Sequence, residues 1–264
     1  MKILFIGDIV GRPGRKTVQK LLPEIKEEHK PDLTIANGEN LAHGRGLTED
    51  NIKEMQEAGI DFFTSGNHVY DNKATADKLN DKSFPVIRPA NFPPNNPGRG
   101  WHIFETAKIQ KIAIINLHGR VFMKHNYDCP FRKFDEILPE IKAEQPQAII
   151  VDFHAEATSE KVAFGHYVDG RTAAVLGTHT HVPTSDGKIL KEGTAFISDV
   201  GMVGAIDSVI GAKKEDIIEG FLNQMPFKYD IPDGDTEFAA VIIKIDDDGK
   251  ATEIHQIIKN LSNT

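Results

Sequence analysis

The chain has 264 residues, of which 39% are hydrophobic and 27% charged, an ordinary composition for a soluble globular protein near the upper size for one hydrophobic core. Its formal net charge of −8 would repel a long nucleic acid, and no apolar run approaches the ~20 residues needed to cross a membrane. The single cysteine, Cys129, excludes an intrachain disulfide framework and fits a reducing compartment, so we expect one domain over residues 1–264 of a cytoplasmic protein.

Apolar runs alternate with helical patterns in the first part of the chain, which predicts parallel strands joined by helices. The segment 89–100 is rich in proline and asparagine and is predicted to be a loop, and Asp248-Gly249 predicts a hairpin turn near the end. Strands are predicted at 3–6, 33–36, 62–65, 86–88, 111–117, 148–153, 173–176, 195–198, 238–245 and 253–258, and helices at 17–29, 51–58 (with Thr48 as N-cap), 134–143 and 213–223.

The first strand leads into a glycine-rich turn, GDIVGRPGR at residues 7–15. This turn has three interpretations from the residues alone: a cradle for phosphate groups, a loop that presents Asp8 to a metal, or a turn without further function. A dinucleotide-binding loop is disfavoured because the G-x-G-x-x-G spacing is absent. The glycines alone do not decide between the others.

Polar side chains follow several of the predicted strands at the point where each strand ends. In an open parallel sheet, ligands gather at these carboxyl ends. Each group is ambiguous when taken alone: Gly-Asn sequences favour turns, and His179-x-His181 is either a ligand pair or two unrelated histidines. The residues concerned are Asp8, Glu39 and Asn40, Asn67 and His68, His154, and His179 and His181.

The ordered motifs GD (7–8), GEN (38–40), GNH (66–68), FHAE (153–156) and GTHTH (177–181) resemble those of the calcineurin-like metallophosphoesterase superfamily. More narrowly, IGDIVGRPGR, TSGNHVYD, FHAEATSEK, GTHTHVPTSD and ISDVGMVG resemble the YmdB-like branch, whose members are cytoplasmic phosphodiesterases acting on 2′,3′-cyclic nucleotides. The resemblance covers residues 1 to 245. It implies an α/β fold, a four-layer α/β/β/α metallophosphoesterase sandwich with mixed sheets.

The resemblance also implies two divalent metal ions at the strand ends. Asp8, Asn40 and His181 would bind one ion; Asn67, His154 and His179 would bind the other; and Glu39 would bridge them. The superfamily's D-x-H histidine is missing, because Val10 stands two residues after Asp8, and we expect Asn40 to replace it. Imidazole, carboxylate and amide ligands favour Fe or Mn, with Zn or Mg as alternatives.

The expected reaction is hydrolysis of a small 2′,3′-cyclic nucleotide by a metal-bridging hydroxide, with His68 as the general acid that protonates the leaving oxygen. Further substrate contacts are predicted from Arg12, His43, Arg45 and His118. Two alternatives stay open: a phosphomonoesterase or other phosphodiesterase using the same site, and a regulatory protein that senses a metal or nucleotide with little turnover. The chain is also a candidate for a homo-oligomer.

Overall fold

The computed structural model describes residues 1–262, in which twelve strands and six helices are found. The strands are β1 (Lys2–Ile9), β2 (Leu33–Asn37), β3 (Phe62–Thr64), β4 (Trp101–Glu105), β5 (Lys111–His118), β6 (Ala148–His154), β7 (Ala174–Thr178), β8 (Lys188–Ile189), β9 (Ala195–Ile197), β10 (Met202–Ala205), β11 (Thr236–Ile245) and β12 (Ala251–Leu261). The helices are α1 (Gly11–His29), α2 (Glu49–Glu57), α3 (Lys73–Ala76), α4 (Pro130–Ala143), α5 (Thr158–Val168) and α6 (Lys214–Asn223), with a 3₁₀ turn at Asp77–Asn80.

The strands form two mixed sheets of six. Sheet A has the order β12-β11-β10-β1-β2-β3, and sheet B has the order β4-β5-β6-β7-β9-β8. In sheet A, β1 is parallel to β2 and β10 but antiparallel to β11. In sheet B, β5, β6, β7 and β9 are parallel, and the short β4 and β8 are antiparallel edges. The predicted strand–helix alternation therefore gives parallel strand pairs in the middle of each sheet, and antiparallel strands are added to them.

The two faces of each sheet are buried in different cores. Along β1, Ile3 and Phe5 face the core between the two sheets, whereas Leu4 and Ile6 pack with α1 and α2. Strand β5 alternates in the same way between the inter-sheet core and the layer of α4 and α5. This alternation follows from the two-residue period of a strand. The molecule is thus layered helix, sheet, sheet, helix, which confirms the predicted α/β/β/α sandwich.

Several elements differ from those predicted. Residues 86–88 form no strand, because Val86 makes only an isolated bridge to Phe63. Helix α1 begins at Gly11 and not at residue 17, with Pro13 in its first turn. The predicted cap is confirmed, since Thr48 accepts a hydrogen bond from the backbone of Asn51. Strands β4, β8 and β10 and helices α3 and α5 have no counterpart in the prediction. No helix within residues 1–262 is long and apolar enough to span a membrane.

Candidate metal centre

A bulge in β1 positions the first carboxylate. The pairing of β1 with β2 shifts register between Ile6 and Asp8, so Gly7 is left out of the ladder. Ile6 and Ile9, three residues apart, both pack on the helical side, and Asp8 is turned toward sheet B. Gly7 is required there because a Cβ would lie 1.9 Å from the carbonyl oxygen of Gly201. The glycine-rich turn therefore presents Asp8, fully buried, to the other sheet.

The seven side chains predicted as metal ligands lie together at the carboxyl edge shared by the two sheets, and they divide by chemistry. Sheet A supplies the oxygen and amide donors, and sheet B supplies the imidazoles. The sheet A donors are Asp8 in β1, Glu39 and Asn40 after β2, and Asn67 after β3; the sheet B donors are His154 at the end of β6, and His179 and His181 after β7.

Three of these groups converge on the fourth, His154, which is fully buried. Its Nε2 lies 3.0 Å from Oε1 of Glu39, 3.1 Å from Oδ1 of Asn67 and 3.1 Å from Nδ1 of His179. Ligand atoms of Glu39, His154 and His179 all lie within 4.8 Å of one another. Nε2 of His179 is 3.2 Å from a carboxylate oxygen of Glu156, so its other ring nitrogen, Nδ1, is directed at the cluster.

A second group forms around Asn40. Its amide nitrogen lies 3.2 Å from Nε2 of His181 and 3.5 Å from both Oδ1 of Asp8 and Oε1 of Glu39. Turning the amide over would place its oxygen, the atom that ligates metals, at the same point. Glu39 therefore lies between the His154 group and the Asn40 group. Val10 offers no donor atom here, and the Asn40 side chain faces the cluster as expected.

The two histidines of the GTHTH motif do not lie in an extended backbone. His179 and His181 have φ values of 97° and 66°, in the left-handed region that non-glycine residues rarely adopt. A buried ion pair supports this turn. Nζ of Lys161 lies 2.7 Å from Oδ2 of Asp199, which also accepts hydrogen bonds from the backbone and hydroxyl of Thr180.

Beneath the cluster, a buried carboxylate fixes the orientation of His154. Thr178 donates its hydroxyl proton to Asp152 at 2.6 Å, and the same hydroxyl oxygen lies 2.9 Å from Nδ1 of His154. Because a hydroxyl has one proton, it accepts from Nδ1–H, which leaves Nε2 of a neutral His154 with a free lone pair toward the cluster. Asp152 also accepts from Asn37 and Thr64 of sheet A. The Asp152–Thr178 pair was not among the predicted site residues.

The charges in the cluster are suited to a cation. Neither Asp8 nor Glu39 is paired with a lysine or arginine among the ion pairs of residues 1–262. Burial alone would lower the pKa of His154, but the charge and hydrogen bond of Glu39 outweigh it and raise that pKa to about 9. Burial, together with the nearby His154, lowers the pKa of His179 to about 2. Two facing ring nitrogens 3.1 Å apart need a proton or a cation between them, and the buried oxygen–imidazole donor set fits a divalent transition metal.

His68 lies at the rim of the cluster. Its backbone N–H donates to Oε2 of Glu39 at 3.0 Å, and its ring Nδ1 lies 2.8 Å from a carboxylate oxygen of Asp71. The ring lines a cavity of about 160 Å³ that opens beside Glu39, Asn40 and the two histidines of the GTHTH motif. Its position beside the cluster, with one nitrogen held by Asp71, leaves Nε2 free to contact a bound molecule.

The four predicted substrate contacts are placed differently from one another. Arg12 is exposed in the first turn of α1 and is not among the residues that line this cavity, and His43 is likewise exposed. Arg45 donates to the Tyr229 hydroxyl at the cavity's edge. His118 is buried at the end of β5, where burial lowers its pKa to about 4; its Nδ1 contacts the Gly119 carbonyl, and its Nε2 has no partner among the described residues.

Comparison with known proteins gives one family. Residues 4–257 match the family described as YmdB-like protein. A 2′,3′-cyclic-nucleotide 2′-phosphodiesterase of Bacillus subtilis (strain 168) is 47% identical, over 98% of this chain and 97% of that protein. The crystal structure of a Mycoplasma pneumoniae phosphatase superposes with a TM-score of 0.92 at 34% identity, covering 99% of this chain and 94% of the other. A 5′-nucleotidase precursor from Thermus thermophilus shares the fold, with a TM-score of 0.61 at 11% identity, over 99% of this chain and 54% of that one.

Proposed function

Because the chain belongs to the YmdB-like family, we propose that it is a metal-dependent phosphodiesterase that opens nucleoside 2′,3′-cyclic phosphates. Its relatives are phosphodiesterases and phosphatases, and the protein is a hydrolase. The cyclic substrate is proposed because the Bacillus relative, which is 47% identical to this chain, is a 2′,3′-cyclic-nucleotide 2′-phosphodiesterase. We also propose that the protein works in the cytoplasm, which its single cysteine supports.

The observation that carries the proposal is that seven buried or half-buried side chains form two adjoining groups, one around His154 and one around Asn40, with Glu39 between them. Asp8, Asn40 and His181 would hold one divalent ion; Asn67, His154 and His179 would hold a second; and Glu39, which lies between the two groups, would contact both. Fe or Mn is the expected metal, with Zn or Mg as alternatives. Bound ions would supply positive charge for the phosphoryl oxygens and lower the pKa of the attacking water.

His68 is proposed as the general acid. Asp71 accepts the Nδ1 proton and so directs Nε2 of the ring away from itself, toward the cavity beside the cluster. When phosphorus is attacked and its bond to the ribose oxygen breaks, Nε2–H of a protonated His68 gives its proton to that oxygen. The products are a nucleoside monophosphate and a neutral imidazole. His68→Gln should lower kcat by ~10²-fold or more while the metal content stays that of the wild type.

The proposal is tested by Asn67→Ala and His154→Ala, with metal content measured by mass spectrometry and hydrolysis of bis-p-nitrophenyl phosphate followed by absorbance. Each variant should lose metal and most of the activity, because each removes a donor from the centre of the cluster. His166→Ala, an exposed histidine on α5, is the matched control and should keep both. Wild-type metal content and wild-type rates in both cluster variants would overturn the mechanism.

The substrate is tested separately by a panel of 2′,3′-cyclic, 3′,5′-cyclic and simple monoester nucleotides. We expect the highest kcat/KM for the 2′,3′-cyclic compounds. A preference for monoesters would point to the phosphomonoesterase alternative, and tight binding of a cyclic nucleotide without product would point to the sensor.

A further inference from the structure

We propose that the cavity beside His68 is the binding site for the nucleoside part of the substrate, with the base packed on an aliphatic wall. This inference rests on the proposed phosphodiesterase function. It adds the part of the protein that would select a nucleotide over other phosphodiesters. The aliphatic wall is defined as Ile210, Ile217 and Ile231, which line the cavity together with Tyr229.

Two cavities adjoin the cluster, and the chemistry of a cyclic diester distinguishes between them. The first, of about 160 Å³, is lined by His68 and the aliphatic wall. The second, of about 230 Å³, lies beside Asn67 and His118 and is not lined by His68. In a 2′,3′-cyclic phosphate, the leaving oxygen and the remaining ester oxygen belong to the same ribose. If His68 protonates the leaving oxygen, the whole nucleoside has to lie on the side of His68, in the first cavity.

The lining of the first cavity suits an uncharged ring. Glu39 is the one acidic residue in its lining, and no lysine or arginine of residues 1–262 lines it. Val10 adds apolar surface at the position where the wider superfamily has a metal-binding histidine, and Gly211 packs against it so closely that a Cβ would lie 2.8 Å from Cγ1 of Val10. The phosphate would face the cluster, and the remaining surface is apolar, which favours a planar base over a charged or hydrated group.

The aliphatic wall is connected directly to the cluster. The carbonyl oxygen of Ile210 accepts a hydrogen bond from Nδ1 of His181 at 2.8 Å, so the wall and one predicted ligand are held in a fixed relation. Ile231 reaches the loop that follows the Glu39-Asn40 pair, where a Cβ on Gly44 would lie 2.6 Å from Cδ1 of Ile231. A base against this wall would therefore orient the ribose with respect to the phosphate.

Tyr229 is fixed at the edge of the same cavity. Arg45 donates from Nε to its hydroxyl at 3.0 Å, and the guanidinium carbon lies 5.4 Å from the ring centre. The Tyr229 ring is thus oriented by Arg45, which itself is exposed and does not line the cavity. Arg45, predicted to contact substrate, acts in this arrangement through Tyr229, as a positioning residue.

The test compares 2′,3′-cAMP with a base-free analogue, 1-O-methylribose 2,3-cyclic phosphate, which keeps the reacting group and lacks the base. Wild-type protein should have a kcat/KM about tenfold higher for 2′,3′-cAMP. Ile217→Ala and Tyr229→Ala should each lower kcat/KM for 2′,3′-cAMP by roughly fivefold and lower the base-free rate by much less. Ile218→Ala is the matched control on α6, since Ile218 is 51% exposed and does not line the cavity; it should change neither rate.

Titration calorimetry with 3′-AMP and with base-free ribose 3-phosphate makes the same comparison without turnover, and circular dichroism checks that each variant is folded. Equal wild-type rates on the two cyclic phosphates, or equal losses on both in the Ile217 and Tyr229 variants, would overturn the nucleoside site and leave the phosphodiesterase function intact. Failure of the function itself would be seen differently, as absence of metal and of bis-p-nitrophenyl phosphate hydrolysis in the wild type.

Discussion

Replacement of Gly66 by alanine should disable the proposed metal centre without unfolding the protein. A Cβ on Gly66 would lie 2.3 Å from both Cδ2 and Nε2 of His154 and 2.4 Å from Oε2 of Glu39. Unstrained contacts between such atoms are ~3.5 Å, so the two buried side chains would have to move by roughly 1 Å. Metal–ligand distances tolerate only about 0.2 Å, and a displacement of ~1 Å costs ~10²-fold in rate.

The assay is metal content after dialysis against Mn²⁺ or Fe²⁺, with hydrolysis of bis-p-nitrophenyl phosphate measured on the same sample. Gly66→Ala should contain less than one metal ion per chain and lose about 10²-fold in rate. Gly187→Ala is the matched control, because the nearest atom to its Cβ would be Cδ1 of Ile197 at 3.8 Å. A Gly66→Ala protein that keeps full metal content and the wild-type rate would refute the claim that this glycine lets the two ligands approach.

Two further predictions concern stability. Lys161→Met should lower the free energy of unfolding, measured in urea melts, by ~3–5 kcal/mol because it leaves Asp199 buried and unpaired. The control, Lys191→Met, removes an exposed ion pair and should change the free energy of unfolding by less than ~0.5 kcal/mol. Equal effects of the two substitutions would contradict the role of the buried pair. Because the pKa of His154 is raised to about 9 by Glu39 against the opposing effect of burial, its stabilising contribution is full below its ordinary pKa of 6.5 and lost as pH rises through 9. The melting temperature of chelator-treated protein should therefore fall between pH 6.5 and 9, and a flat or rising profile would show that the pair is not formed.

Much of the fold could be predicted because strand periodicity is local. The alternation in β1 and β5 already specifies two buried faces, and Thr48 is recognisable as a cap from its own position. Helix α5 is absent from the prediction for a physical reason: its buried face carries Lys161, a residue type typical of solvent-exposed positions until its partner Asp199 is known to lie across the fold. Strand β10 is four residues long and contains a glycine, so its own residues favour a strand only weakly.

The candidate site, like the fold, could be predicted from the sequence only in part. The donor residues could be identified because each directly follows an apolar run, and the resemblance supplied their grouping. The contribution of Asp152 could not be predicted, because it depends on Thr64 and Thr178, which lie 88 and 26 residues away in the sequence. The left-handed backbone of His179 could not be predicted either, since nothing in the sequence of that turn calls for a positive φ.

The division of donor atoms between the two sheets has a consequence for assembly. Neither sheet carries all of the proposed ligands, because the carboxylates and amides belong to one sheet and the clustered imidazoles to the other. An ion bound there would be held by residues of both sheets. Because such an ion binds only when the two sheets are packed together, its binding free energy would stabilise the folded chain over the unfolded one. A chain from which the metal has been removed should therefore unfold at a lower temperature than the metal-loaded chain, and the difference should grow with the concentration of free metal.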